Sequence, residues 1–554
     1  MPTSLTVAAL AAGAIAAGSA GSILAASAAP AATTPITTAP SVTPPTTTTP
    51  TTTTPTTTTP TTTPVAAPPI DVQISATRVG RPIAPGFLGF SFEYKATREY
   101  TGSNPRAINP VLVQLIRDLN PKQSPVLRIG GNSADQTWLP AHGVKVNPSI
   151  NFTLTPGWLA TTRALAEQTG GRLILDLNLK LNSGSEIAAE AHAFETGLGA
   201  SNIKALEIGN EPELYKITPF YYRKPNHTPV YPRPKSFNRA AYVKEMARFA
   251  KRLGGVPLAG PATGNYNWLT RLPKLFKVEP RLKVVTYHRY PLIRCFSKPG
   301  DRGYPSIPNL LSPVAARGLL TGTGPYIAFA HRHGATFRVD ELNSVACKGQ
   351  PGVSDTFASS LWMLDTLFAM ARTGVDGVNI HTLPEAIYHP FTFQQMNGRW
   401  EATVFPEYYG MLLFTEAAPP GSRLLAVSTP ANPDIRVRAA LTPTGLTHVV
   451  LLNDSLTTDQ TIALRPPTGA GKTAIVERLN APGGASATSG VTLAGQSFGE
   501  TTTTGTLSGK FQADHVQPTD GQYLIKLPAS SAAMISFAPA AGGSRPHPRT
   551  GATH

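Results

Sequence analysis

The strongest constraint on this chain is an alternation. From Ile70 to about Arg399, short apolar runs are separated by longer stretches of helical periodicity. The runs are FLGFSFEY (87–94), PVLRIGG (125–131), RLILDLNL (172–179), ALEIGNE (205–211), VPLAGPA (256–262), LKVVTYHRY (282–290), TFRVDELN (336–343) and VDGVNIHT (375–382). VPLAGPA is the weakest of them. Segments such as NPVLVQLIRDL and DTFASSLWMLDTLFAMART fill the gaps with apolar residues three or four positions apart. Strands that are apolar throughout belong to a parallel sheet covered on both faces, and amphipathic helices supply the cover. Eight such units predict an α/β fold, a (β/α)8 TIM barrel over residues 70–400.

After Trp400 the texture changes. LLAVSTP, DIRVRAAL, THVVLLND, TAIVERLN, GQYLIKLP and AAMISFAP alternate apolar and polar residues between turn signals. This predicts a β-sandwich domain over 401–540. DVQISATRV (71–79) has the same texture and is a candidate additional strand of that sandwich.

Two glutamates stand where barrel chemistry is done. Side chains at the C-terminal ends of barrel strands line the active site. Asn210-Glu211-Pro212 closes the fourth run, and Asp340-Glu341 ends the seventh. Alone, either glutamate could be a charged loop residue. Together they face each other across a barrel mouth, the arrangement of a glycosidase acid and nucleophile. Alternation along a strand sends Asp340 to the face opposite Glu341, which suggests a structural role for it. His288, ending the sixth run, either orients Glu341, binds substrate, or packs as a neutral histidine. The insert KITPFYYRKPNHTPVYPRPK (216–235) mixes aromatics with bases, suited to sugar faces and to uronate or sulfate groups. It also fits a solvated loop.

The chain resembles glycoside hydrolase family 79, the family of β-glucuronidases and heparanase. The matching motifs are LRIGGNSAD (127–135), EIGNEPE (207–213), TYHRY (286–290), DELNS (340–344) and GVSDTFASSLWMLDTLFAMARTGVDGVN (352–379). The resemblance implies a barrel with a β-sandwich built partly from N-terminal sequence. It implies Glu211 as acid/base and Glu341 as nucleophile of a retaining β-glycoside hydrolase, with Asn210 on the sugar 2-hydroxyl. It further implies Tyr290 near the nucleophile, Glu93 and Asp135 on sugar hydroxyls, and Tyr388 on the uronate carboxylate. The chain departs from the heparanase-like pattern after the nucleophile. A Tyr-Gly-Gly element there is replaced by Ala346-Cys347-Lys348-Gly349. Lys348 can supply charge instead, and Gly349 a backbone donor. The expected substrate is a glucuronic-acid-bearing glycan. The alternatives are a glycosidase for neutral sugars and a non-catalytic glycan- or cell-wall-binding protein. An aryl-glycoside panel separates all three.

The remaining features concern location. Residues 1–30 are rich in Ala, Gly and Ser, and Ala26-Ser27-Ala28 fits a cleavage site, but no early Lys or Arg is present. They read as a signal peptide or weak anchor. Residues 31–69 surround a TTTTP repeat and form a Thr/Pro linker, and 541–554 a disordered tail. A secreted or cell-surface protein is expected. The only two cysteines, Cys295 and Cys347, fall on neighbouring loops of the barrel and suggest a disulfide. A formal net charge of +16 is compatible with an acidic substrate, a cell wall or a membrane surface. No nucleic-acid-binding signature accompanies it. No metal cluster stands out, and the mechanism calls for no metal or cofactor.

Overall fold

The computed structural model describes residues 68–140 and 146–540. The expected signal, most of the linker and the tail lie outside them. The eight apolar runs become the strands β2 (Leu88–Glu93), β3 (Val126–Gly130), β4 (Arg172–Leu177), β5 (Ile203–Ile208), β6 (Leu258–Thr263), β7 (Leu282–Arg289), β8 (Thr336–Leu342) and β9 (Gly377–Thr382). All pair in parallel and close into one barrel, β9 meeting β2 through pairs such as Ile380 with Phe90.

Between the strands run α1 (Pro110–Asp118), α2 (Pro156–Thr169), α3 (Gly184–Phe194), α4 (Arg239–Ala250), α5 (Leu272–Val278), α6 (Gly324–Arg332), α7 (Phe357–Thr373) and α8 (Pro406–Ala417). Their ends follow local chemistry. Asn109 caps α1 by accepting from the amides of Val111 and Leu112, with Pro110 in the first turn. Thr155 caps α2 the same way, and Gly170 ends that helix in the left-handed conformation.

The barrel interior is layered. Val126, Ile174, Ala205, Ala259 and Val284 form an apolar floor. Two residues further along their strands come Arg128, Asp176, Glu207 and Thr286, pointing the same way because strand side chains repeat every second position. All four are buried. Polar residues thus stack from the floor toward the mouth.

The second domain forms around β1 (Ile70–Val79), β10 (Arg423–Ser428), β11 (Ile435–Leu441), β12 (Thr447–Asn453), β13 (Gln460–Arg465), β14 (Ala470–Asn480), β15 (Tyr523–Leu527) and β16 (Ser531–Pro539). Pairing is continuous, and the sheet folds over so that its two halves enclose one core. Val72, Leu451, Ile462, Ile525 and Phe537 all belong to that core. The N-terminal strand is internal to this sheet: β1 runs antiparallel to β10 and parallel to β13. The barrel therefore begins after β1, not at Ile70. Two arginines of β11 reach Asp365 on α7, Arg436 at 3.8 Å and Arg438 by a short hydrogen bond, tying the domains together.

Candidate active site

Strand ends bring the expected residues to one mouth. Glu93 ends β2, Asn210 and Glu211 follow β5, His288 and Tyr290 close β7, Glu341 lies near the end of β8, and Tyr388 follows β9. A carboxylate oxygen of Glu211, one of Glu341 and a ring nitrogen of His288 lie within 4.8 Å of one another. His288 Nδ1 sits 3.2 Å from Glu211 and 3.8 Å from Glu341. Glu211 has φ of +43°, an unusual conformation for a side-chain-bearing residue. Its amide donates to the Ala262 carbonyl at 2.8 Å, and its carbonyl accepts from Leu214, which hold the turn.

Arg128 organises the floor of the site. Its guanidinium donates to Glu341 Oε2 at 2.7 Å, Asp176 at 2.8 Å, Asn210 Oδ1 at 2.8 Å and Glu207 at 2.9 Å. Asp340 lies 3.4 Å away. One buried cation therefore serves four carboxyls, which cannot all remain charged. Burial pushes Asp176 and Asp340 well above the usual carboxylate range, with Glu207 adding to both. Burial works the same way on Glu207, but Arg128 overrides it and draws that acid down to about 2.

The two mouth glutamates diverge. Burial raises Glu211 well above its ordinary value, and the charges of Glu341 and Glu213 push it further. Burial also opposes ionisation of Glu341, but His381, His288 and Arg128 hold it far below the carboxylate range. Burial drops His288 to about 4, so at neutral pH it is uncharged. Tyr290 donates its hydroxyl to Glu341 Oε1 at 2.9 Å and stays neutral, because burial and Glu341 raise its pKa. The mouth thus holds one proton-bearing acid and one ionised carboxylate. Glu211, His288 and Glu341 are the one acid–histidine cluster of metal-holding geometry among the described residues, but Arg128 already occupies the cation position at Glu341.

Other expectations fare differently. Asp340 does not turn away from Glu341: both lie against Arg128. The strand register slips between Thr286 and His288 and between Val339 and Leu342, so simple alternation fails there. Gly349 is no free donor. Its amide bonds the Val345 carbonyl at 3.1 Å, and its carbonyl accepts from Arg294 at 3.2 Å. Cys347, Lys348 and Gly349 all have positive φ, in a tight turn that consumes these groups. Lys348 is half exposed and lies 3.6 Å from Glu385. Cys295 and Cys347 form the disulfide, joining the loops after β7 and β8. Glu93 accepts from the amides of Asn132 and Ser133. Asp135 is fully covered by its surroundings, accepting from Tyr215 at 3.0 Å and facing Lys180 at 3.5 Å. Buried Tyr388 packs between Tyr290 and His381.

Sequence reasoning passed over Arg128, Asp176, Glu207 and His381. A signal was available. A charged residue inside a strand apolar on both faces, as in VLRIG or LILDL, must have a buried partner.

A barrel carrying an acid–carboxylate pair at strands four and seven, with a β-domain attached, defines a glycoside hydrolase. Residues 440–534 match the glycosyl hydrolase family 79 C-terminal beta domain. The chain is 21% identical to a β-glucuronidase of Neurospora crassa over 69% of its own length and 74% of that protein. It is 24% identical to a β-glucuronidase of Aspergillus niger over 67% of its own length and 72% of that protein. Among solved structures, a 4-O-α-L-rhamnosyl-β-D-glucuronidase from Fusarium oxysporum aligns at 19% identity and a TM-score of 0.59, covering 84% of this chain and all of that one. A family 51 arabinofuranosidase from Xanthomonas axonopodis aligns at 15% and 0.60, over 85% of this chain and 99% of that one. At such identities these two structures speak to the fold alone. The match over residues 440–534 and the two β-glucuronidase relatives support glycoside hydrolase family 79.

Proposed function

We propose that this protein is a retaining β-glucuronidase acting on glucuronic-acid-bearing glycans by double displacement. One observation carries the reading: the oxygens of Glu211 and Glu341 approach within 4.8 Å, one carboxyl raised and the other depressed in pKa. Carboxyls about 5–5.5 Å apart leave no room for a water between the second carboxylate and the sugar, so that carboxylate attacks directly. Glu211 gives its proton to the glycosidic oxygen while Glu341 attacks the anomeric carbon. The carbon–oxygen bond to the leaving group breaks, and a glycosyl ester forms on Glu341. Glu211, now a carboxylate, takes a proton from water as that water attacks the same carbon. The ester bond breaks, Glu341 is restored, and the product keeps its anomeric configuration.

Other residues fit supporting roles. Asn210 Oδ1 accepts from Arg128, which leaves its amide hydrogens for the sugar 2-hydroxyl. Tyr290 steadies the attacking carboxylate. His288, uncharged between the two glutamates, orients Glu211. The glucuronide preference is supported by the β-glucuronidase relatives. A preference for neutral sugars is favoured by one observation, that the Gly349 amide is already engaged. Turnover of aryl β-glucuronide, β-glucoside and β-xyloside, with NMR of the first-formed anomer, tests both points. A β-product from the glucuronide alone is expected. Faster cleavage of a neutral glycoside overturns the preference, and an α-product overturns retention.

We assign the enzyme to the cell exterior, on its disulfide and Thr/Pro-rich segment. No helix among the described residues is long and apolar enough to cross a membrane. Release of active enzyme into the medium, or onto the cell surface, checks the assignment.

A further inference from the structure

His288 stands between two carboxyls. Its Nδ1 lies 3.2 Å from Glu211 Oε1, and its Nε2 lies 3.6 Å from Asp340 Oδ1. All three residues are buried, Asp340 completely. His288 pairs in register with Glu341 across β7 and β8, which sets Asp340 as well as Glu341 against the ring. The imidazole thus links the acid of the mouth to a carboxyl beneath it that takes no part in the displacement.

A neutral imidazole carries one N–H, and the atom facing one nitrogen decides what the other presents. Burial keeps His288 uncharged at neutral pH. Its Nε2 and both oxygens of Asp340 make no hydrogen bond among the described residues. Unpaired polar atoms are costly in a buried site, and a small closure from 3.6 Å pairs Nε2 with Oδ1. The direction of that bond depends on which partner holds the proton.

The surroundings of Asp340 decide this. Arg128 donates to Glu341 at 2.7 Å, to Asp176 at 2.8 Å and to Glu207 at 2.9 Å. Asp340 alone of the four carboxyls accepts no hydrogen bond from the guanidinium, which stands 3.4 Å from its Oδ2. Glu207, Asp176 and Glu341 present like charge to it. The other nearby cation, Arg338 on the same strand, is engaged by Asn379 and the Gly86 carbonyl. An anion at Asp340 would therefore lack a donor, and burial together with Glu207 raises its pKa.

We propose that Asp340 is a positioning residue for the acid: protonated on Oδ1, it donates a hydrogen bond to His288 Nε2 and so fixes the tautomer whose Nδ1–H donates to Glu211 Oε1. The proposal rests on reading Glu211 as the acid. With Oε1 occupied, the transferable proton of Glu211 stands on Oε2, where it can meet the glycosidic oxygen. When that proton leaves, the Nδ1–H already in place stabilises the new carboxylate. No proton moves along the three residues; Asp340 acts through the ring.

The test reads the tautomer directly. The full chain is labelled with nitrogen-15 at histidine, and the His288 signals are identified by their loss in His288→Gln. A protonated Nδ1 and a bare, hydrogen-bonded Nε2 are expected in the parent enzyme at neutral pH. The reverse assignment overturns the proposal, and this measurement needs no variant of Asp340 to fold. Two substitutions then separate a donor from a charge. Asp340→Asn keeps a neutral N–H donor and is expected to retain the Nδ1–H tautomer and most of the turnover. Asp340→Ala removes the donor. Its His288 signals are expected to report mixed tautomers, and its kcat to fall on the order of tenfold on glucuronides with poor leaving groups, with KM and the turnover of activated phenols little changed. Equal loss in the two variants would mean that Asp340 works as a charge. Equal loss by Asp340→Ala on good and poor leaving groups would mean that it only supports the fold. Either result overturns the proposal. If instead Glu211→Ala slows both substrate classes alike, the acid reading falls and takes the proposal with it, even with Nδ1 protonated.

Discussion

Glu211 and Glu341 share one cleft yet sit on opposite sides of the carboxylate range. Burial raises both acids; it prevails at Glu211 and is overcome at Glu341 by His381, His288 and Arg128. Arg128 bonds Glu341 directly, and the Glu341 charge adds to burial in raising Glu211. Glu341→Ala is expected to abolish turnover, with azide restoring it and yielding the glycosyl azide of inverted configuration. No rescue, or a retained product, would remove the nucleophile assignment. Glu211→Ala is expected to slow substrates with poor leaving groups by about 10²–10⁴-fold while sparing activated phenols, which need little protonation. Equal loss on both would argue against the acid. The pH profile follows in sign. Activity falls on the acid side as Glu341 gains a proton and on the alkaline side as Glu211 loses one. Because the first pKa is depressed and the second raised, the active window is broad. Glu341→Gln removes the like charge and is expected to lower the Glu211 pKa, read by carboxyl-carbon NMR; an unmoved titration refutes the coupling.

At the scale of elements, loops after strands decide specificity, and one of them is fastened. The disulfide closes a loop of sequence separation 52, for which chain-entropy arguments give about 4 kcal/mol of stabilisation. The double variant Cys295→Ser, Cys347→Ser is expected to melt earlier and to show a raised KM with a smaller change in kcat. An unchanged melting curve would show that the link contributes nothing to stability. The same loops mark the limit of what was legible in the sequence. Barrel strands are apolar runs bounded by turn residues, so even VPLAGPA could be recognised. The glutamates after β5 and on β8 stood out because charge ends an apolar run there. Asp340 could not be placed, because its direction depends on a register slip between neighbouring strands. Nor could the fate of the Gly349 amide, which depends on a turn closed by its own residues. Arg128 was legible in principle, but its partners come from β4, β5 and β8, the turn after β5 and, through Ser91, β2, which only the closed barrel brings together.

Across the molecule, the two domains are joined by charge as well as by packing. Arg436 is nearly inaccessible and meets Asp365 from α7 and Asp454 from its own domain. Asp365→Ala would leave Arg436 and Arg438 short of their partner, at a cost of about 3 kcal/mol. A lower denaturant midpoint with a single transition is expected. Two separate transitions would show that the domains unfold independently. The position of β1 has a different consequence, one of timing. This strand leaves the ribosome before any of the barrel, whereas its neighbours β10 and β13 are made near the end of synthesis. For most of translation it is an orphan with an open hydrogen-bonding edge. The molecule can be completed only once the whole polypeptide exists, so a chain cut short after the barrel keeps its catalytic residues but leaves its first strand searching for a partner.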